Sequence, residues 1–427
     1  MNKKVDDILR EVLDKVEPSK QDLENINRSL NQFKEKIEKQ IKRQKLDAVI
    51  FEGGSFAKKT IIKKDIYDID LFIRFSEKFK GQNISKLTEK LLKGIKGVSI
   101  IHGSRDYFQI KESKDFFIEL IPVIKVNEPK KAENITDLSY SHVKYINKKI
   151  KSQKVLDEIK IAKAFCYATK TYGAESYIGG FSGYSLELLI HYYKSFLKFI
   201  KAMAMHKQGK IIIDIEKYYK NKNNILLDIN SSKLSSPIIL VDPTYKQRNA
   251  LAALSKETFE RFKQASKKFL KNPSIKCFEI EKADLEKIKK QALKKKYEFI
   301  LLELKTPKPE GAVAGSKLLK FYNHLENEIG KFFEIKNKGF DYNQENSAKC
   351  FFVAKKKLNQ IIGGPFIKDK KNIKAFKKEH KNTFEKAGRI YAREKINFDL
   401  NEFIEGWKKK YQKKIAEMSI SELKVSK

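Results

Sequence analysis

Two aspartates, Asp68 and Asp70, lie in the run YDIDLFIRF (Tyr67 to Phe75), where acids are out of place. Asp is depleted in strands, and an extended chain puts residues i and i+2 on one face. Both carboxylates therefore share a face, while Ile69, Leu71 and Ile73 take the other. A second apolar run, FFIELIP, carries Glu119 between Ile118 and Leu120 in the same alternation. Carboxylates held side by side repel unless one is protonated or a cation sits between them, so the set favours a divalent metal with oxygen ligands. Taken singly, each acid would read as a strand entrance or as an edge charge that discourages aggregation.

Upstream lies GGSFAKKT (Gly53 to Thr60). Gly53 and Gly54 allow close backbone approach, Ser55 offers a hydroxyl where a short helix would begin, and Lys58 and Lys59 add cations, a combination suited to cradling a triphosphate. It is not a Walker loop, because no GxxxxGK[ST] occurs, and GAVAGSK at Gly311 has the wrong spacing. A helix N-cap with a purely structural role is the alternative reading of the turn.

These residues need elements to position them. With 427 residues the chain has room for two or three domains, and its 41% hydrophobic content can build their cores. An α+β multidomain fold is expected. The first 45 residues read as two helices broken at Pro18, the second opening at Ser19 and Asp22, and they suggest a clamp or brace. The runs LDAVIFE, DIDLFIRF, VSIIH, DYFQIK and FFIELIPVI then predict a small mixed sheet, which closes an N-terminal domain over 1–150. Helical spacing returns over 151–270, with a strand pair at KIIID and PIILVDP, and predicts a mainly helical central domain. In 271–427 the sequence predicts strands at KNPSIKCFEI, EFILLELK and AKCFFVAKK and a helix from Gly315 to Phe333, followed by very basic helices to the C-terminus. Such an α+β domain with Lys on every turn suits backbone phosphates.

Lys+Arg 91 against Asp+Glu 54 gives a net charge of +37, far beyond what solubility needs and of the sign that attracts a polyanion, so nucleic acid leads the partners. A Lys-heavy composition can also spread charge without any binding role. Cys166, Cys277 and Cys350 are too few and too far apart for a disulfide framework or a CxxC zinc site, which fits a reducing cytoplasm. The N-terminus has no apolar core of a signal peptide, and no window approaches a membrane span, so secretion and membrane insertion are not expected.

The order GGS, DID and a third acid resembles the nucleotidyltransferase superfamily that includes DNA polymerase beta, poly(A) polymerases and CCA-adding enzymes. Four further stretches, VNEPKKAENITDLSYSH, KTYGAESYIGGFSGYSLELLI, VDPTYKQRNALAALS and GGPFIKDKKNIKAF, closely resemble in that order the archaeal, class I CCA-adding family of tRNA nucleotidyltransferases. The resemblance spans residues 30 to 380 and is densest from Tyr172 to Ser255. It implies a catalytic nucleotidyltransferase head, a helical nucleotide- and tRNA-binding neck and a C-terminal RNA-binding body and tail. The activity it implies is template-independent addition of CCA to the tRNA 3′ end from CTP and ATP.

Carried over by position, the resemblance implies two Mg²⁺ ions on Asp68 and Asp70, with Glu119 completing the catalytic and metal set. Ser55 and Lys58 would hold triphosphate oxygens, with His142, Lys163 and Tyr172 at triphosphate and sugar positions and Arg248 against the nucleobase edge. The implied partners are the tRNA acceptor stem and 3′ end, CTP and ATP, with no membrane; a homodimer is left open. Some positions depart from the family pattern. Glu119 stands where Asp is usual, Lys58 where Arg is common, and Leu138 and Gly179 where Arg is expected. Two other readings remain at this point: a poly(A) or oligo(U) polymerase-like transferase, and a non-catalytic RNA-binding relative.

Overall fold

The structure is a computed structural model, and it describes residues 3–103, 105–114, 116–280 and 283–426. The chain forms two compact units, 1–281 and 282–427.

The first unit opens with α1 (Lys3–Val16) and α2 (Lys20–Arg43). Ser19 caps α2 by accepting the Asp22 N–H at 3.0 Å, a contact worth about 1 kcal/mol. Along α2 the residues Ile26, Leu30, Phe33, Ile37 and Ile41 recur at three- and four-residue spacing and form one buried stripe. That stripe packs with the sheet residues Ile69, Leu71, Ile73, Ile118 and Leu120, whereas Leu9 and Val12 of α1 belong to the helical core. The expected brace is thus a pair of helices committed to different cores.

Next come β1 (Ala48–Glu52), α3 (Gly54–Ala57), β2 (Tyr67–Phe75), α4 (Ile84–Leu91), β3 (Val98–Ile101), β4 (Tyr107–Lys111) and β5 (Phe116–Ile124). Each run read as a strand from its alternation is one. The sheet has five strands in the order β1-β2-β5-β4-β3, and β2 and β5 pair in parallel near its centre. Helices α5 (Ser139–Lys149), α6 (Gln153–Ala168), α7 (Gly183–Tyr193) and α8 (Phe196–Met205) follow. After them come β6 (Ile211–Ile213), α9 (Lys222–Asp228), β7 (Ile238–Asp242), β8 (Tyr245–Asn249) and α10 (Lys256–Lys271). The expected pair at KIIID and PIILVDP is present, β6 running parallel to β7, with β8 added to make a three-stranded sheet.

KNPSIKCFEI does not form the expected strand. After Pro273, the Ser274 side chain accepts the Lys276 N–H and caps a short 3-10 turn, Ile275–Phe278. The turn lets Ile275, Cys277 and Phe278 all press on the helical core, which an alternating strand could not do.

The second unit contains α11 (Leu285–Lys294), β9 (Glu298–Lys305), α12 (Ala312–Phe332), β10 (Phe333–Tyr342) and β11 (Ser347–Lys356). The helix expected from Gly315 begins earlier, just after Gly311, whose φ of +80° turns the chain into it. Beyond these lie β12 (Asn359–Phe366), α13 (Lys370–Glu379), β13 (Thr383–Lys386), β14 (Arg389–Lys395), α14 (Leu400–Lys410), α15 (Gln412–Glu417) and β15 (Glu422–Ser426). One sheet runs β10-β11-β9-β15 and the other β12-β14-β13. The basic C-terminal region is therefore not wholly helical, contrary to the expectation from its sequence. In β14 the buried Ile390 and Ala392 alternate with Arg389, Tyr391 and Arg393, a strand pattern that the abundance of Lys and Arg hides.

Among the described residues no helix is long and apolar enough to cross a membrane.

Candidate active site

Alternation in β2 and β5 places the acids. Ile69, Leu71, Ile118 and Leu120 are fully buried, so Asp68, Asp70 and Glu119 must point to the opposite face. The parallel register sets Asp70 directly beside Glu119. The Gly53–Gly54 turn closes over this face: the Gly53 N–H donates to the Asp70 carbonyl at 2.9 Å. A Cβ on Gly54 would come within 1.7 Å of Asp70 Oδ2, and the residue's φ is +60°, so both space and backbone demand glycine there.

The acids are poorly compensated. Burial, followed by the negative charge of Asp68, pushes the Asp70 carboxyl up to about 6. Burial and then Asp70 and Asp68 push Glu119 up to about 8. Glu119 has a weak donor in Gln109, whose Nε2 lies 3.4 Å away on β4. Asp68 is held outward by Lys64, Nζ to Oδ1 2.5 Å. Burial, then Glu119 and Asp70, raises the Tyr107 phenol across the same face.

Among the described residues no three His, Cys, Asp or Glu side chains are gathered as a metal-holding group, and Asp68 is paired with Lys64. The donor set nonetheless fits a divalent cation: hard oxygens only, with two carboxyls pushed upward by burial and by neighbouring negative charge that a cation would offset.

Six other residues singled out in the sequence fall in the same unit. Ser55 lies in the single turn α3, its carbonyl accepting the Thr60 N–H at 2.9 Å. Lys58, just after α3, is buried with Nζ 2.6 Å from Glu187 Oε2. Lys163 on α6 is buried too, donating to the carbonyl and the hydroxyl of Thr60, each at 2.8 Å. The structure thus brings Lys58 and Lys163 together through Thr60 and Glu187. Tyr172 stacks on Tyr167 with centroids 4.1 Å apart, its hydroxyl facing Gly183, where a Cβ would lie 2.9 Å away.

His142 and Arg248 meet at a second buried acid, Asp242, at the end of β7. Arg248 Nη1 is 2.5 Å from Asp242 Oδ2. Oδ1 accepts the Tyr184 hydroxyl at 2.9 Å and the Thr244 N–H and hydroxyl at 2.8 Å. His142 stacks on Tyr184, centroids 4.0 Å apart. Its Nε2 is 3.3 Å from Asp242 Oδ2 but off the line of a hydrogen bond, and it has no other hydrogen-bond partner among the described residues. Burial opposes the Asp242 charge, yet His142, Arg248 and Thr244 override it and hold the carboxyl well below the usual range. Burial lowers His142, outweighing Asp242.

Sequence reading missed Glu187, Asp242, Tyr184 and Thr60. A signal for Glu187 was present: it is the single acid in the otherwise apolar helix GYSLELLIHYY. Of the residues that depart from the family pattern, Gly179 adopts φ +56°, where a Cβ would lie 3.2 Å from that of Ser255, and Leu138 is buried.

Residues 157–279 match the family model described as tRNA nucleotidyltransferase, second domain. A CCA-adding enzyme of Nanoarchaeum equitans is 41% identical over 238 residues, covering 56% of this chain and 58% of that relative. A CCA-adding enzyme of Methanocaldococcus jannaschii is 29% identical over 404 residues, covering 91% of this chain and 87% of the relative. The chain is similar to archaeal CCA-adding enzymes over most of its length. The match to the Nanoarchaeum member thus spans less than two thirds of that protein, whereas the Methanocaldococcus match runs through both units. Within the CCA-adding family match, the second-domain model covers α7 and β7, the elements that carry Glu187 and Asp242. A crystal structure of the Cid1 poly(U) polymerase superposes with a TM-score of 0.51 at 13% identity, covering 66% of this chain and all of that one. That likeness shows a shared nucleotidyltransferase fold.

Proposed function

We propose that this enzyme adds CCA to the 3′ end of tRNA from CTP and ATP, releasing pyrophosphate. The observation that carries the reading is the Asp70–Glu119 pair on β2 and β5, with the Gly53–Gly54 turn pressed against Asp70, in a chain similar to archaeal CCA-adding enzymes. Asp68, Asp70 and Glu119 would hold divalent metal, two Mg²⁺ ions in this reading. When bound, the metal supplies Lewis-acid stabilisation of phosphoryl charge and eases loss of the proton from the attacking 3′-hydroxyl.

The rest of the work falls to the chain. Lys58 and Lys163 offset charge on the triphosphate, Ser55 and His142 orient its oxygens, and Tyr172 borders the sugar. Arg248, steadied by Asp242 through one nitrogen, keeps other N–H donors for acceptors on the edge of C or A. In this division of labour residues 1–150 carry the chemistry and part of the triphosphate site, 151–270 complete the nucleotide site, and the basic residues 271–427 take the tRNA backbone in the cytoplasm.

The test is a tRNA lacking its last three nucleotides, incubated with Mg²⁺ and CTP, ATP or both, with products sized at single-nucleotide resolution. CTP should add two residues, and a third should appear only when ATP is present. A long homopolymer would instead assign a poly(A) or oligo(U) polymerase, and no extension would favour a non-catalytic RNA-binding protein. Because an enzyme that accepts every tRNA must read shape and backbone, affinity for tRNA should also fall steeply with salt, by on the order of 10³-fold between 50 and 200 mM if about six phosphates are contacted. A flat salt response would count against backbone-dominated binding.

A further inference from the structure

Glu187 takes no part in the chemistry described above, yet it occupies a position where a charge is costly. Its side chain is wholly buried on α7, and a buried carboxylate persists only with partners. Lys58 Nζ lies 2.6 Å from Oε2, the Thr60 hydroxyl donates to Oε1 at 2.8 Å, and Lys163 Nζ is 3.6 Å from Oε1. Thr60 closes the set by accepting from Lys163. One acid therefore ties α7 and α6 to the segment that follows α3 and the Gly53–Gly54 turn. Tyr184, three residues before Glu187 on α7, binds Asp242, and Lys58 Nζ sits 6.0 Å above its ring. The helix thus carries both the anchor of the two lysines and the anchor of Arg248.

We propose that Glu187 is a positioning residue for nucleotide binding, its carboxylate fixing the ammonium groups of Lys58 and Lys163 as one preplaced dication for the triphosphate of an incoming nucleotide. The inference rests on the reading in which these two lysines bind triphosphate. Without Glu187 two neighbouring buried ammoniums would repel and one would shed its proton. Lys163 is the one at risk. The charged groups that act on it are Glu187 from α7 and Lys58 and Lys64 from the segment between α3 and β2; burial and the two lysines bring it down to about 8 against the opposing pull of Glu187. Removing that pull lowers it further, so Lys163 would be neutral near neutrality and the anchor would lose half its charge.

The experiment uses the full chain without tRNA. CTP binding is measured by calorimetry for the wild type, Glu187→Gln and Glu187→Asp between about pH 6 and about pH 9, with tRNA binding measured in parallel. Glu187→Gln should weaken CTP on the order of tenfold near pH 8, the cost of losing a partner that orients a binding group, with tRNA affinity unchanged. The deficit should shrink toward pH 6 as Lys163 regains its proton, and Glu187→Asp should recover part of the affinity. If Glu187→Gln does not fold, Thr60→Val, which keeps every charge and removes the bridging hydroxyl, should weaken CTP several-fold, and unaltered binding would overturn the proposal. Wild-type CTP binding with an unchanged Glu187→Gln variant would overturn this inference alone. So would equal loss of CTP and tRNA binding at every pH. A wild type that binds no CTP would overturn the triphosphate reading and the inference together.

Discussion

The carboxylates on the β2–β5 face and those of the α7 and β7 networks lie in one unit, yet their surroundings move them in opposite directions. Burial and Asp68 push Asp70 up to about 6, and burial, Asp70 and Asp68 push Glu119 up to about 8. Glu187 and Asp242 are at least as deeply buried, but Lys58 and Lys163 in one case and His142 and Arg248 in the other hold them below the usual range. The difference separates a site that still lacks positive charge from scaffolding that already has its own. The first arrangement spends stability to keep acids ready for a cation; the second spends acids to keep cations in place.

The largest effect expected from breaking this contrast is at Asp70. Asp70→Ala should cost several kcal/mol of transition-state stabilisation, on the order of 10³-fold in nucleotide transfer, with the fold intact. Full activity in single-turnover assays would remove Asp70 from the chemistry. Asp242→Asn attacks the compensated side and should cost about 3 kcal/mol of stability in denaturant unfolding, because Arg248 and His142 lose the charge they converge on. The variant should also discriminate less between CTP and ATP. The Asp242 contribution is present above its ordinary 3.8 and is lost as pH falls below it, so the wild type should lose stability in acid more steeply than the variant.

Glu119→Gln probes the uncompensated side through pH. A raised acid keeps its proton in the fold after the unfolded chain has given it up, so its contribution is greatest below 4.5 and declines as pH rises toward about 8. Without metal, the melting temperature should drop over that window in the wild type and drop less in Glu119→Gln. Added Mg²⁺ should raise the melting temperature of the wild type most at the alkaline end. Equal pH slopes in the two proteins would show that Glu119 is not strained by its neighbours. The smallest effect belongs to an exposed pair that resembles neither class. Lys15→Ala, which removes the partner of Glu11 on α1, should change stability by about 0.5 kcal/mol or less.

The β2–β5 site was legible because a strand's period of two sorts residues without any knowledge of the rest of the chain. Asp68 and Asp70 opposite Ile69 and Leu71 needed only local pattern, as did the Ile26-to-Ile41 stripe of α2. Glu187 and Asp242 were not legible, because what makes each of them tolerable lies far along the chain: Lys58 for one, Tyr184 and His142 for the other. Lys58 and Lys163 stand out in the sequence as phosphate ligands, but their linkage through Glu187 and Thr60 joins residues too distant along the chain to be read from it. In the second unit the error had another source. Pro365 and two glycines interrupt β12, where the register slips between Gly363 and Phe366, and the surrounding Lys-rich segments look helical when the sheet partner is unseen.

The parallel pairing of β2 with β5 also affects how the protein comes into being. Parallel neighbours cannot be joined by a tight turn, so α4, β3 and β4 must all be made and threaded between them before Asp70 and Glu119 can meet. A nascent chain halted between Asp70 and Phe116 carries the aspartates but no pair. Loop closure of this kind is slow and belongs late in folding. Catalytic competence would then act as a built-in birth certificate, issued only to molecules whose central sheet has closed.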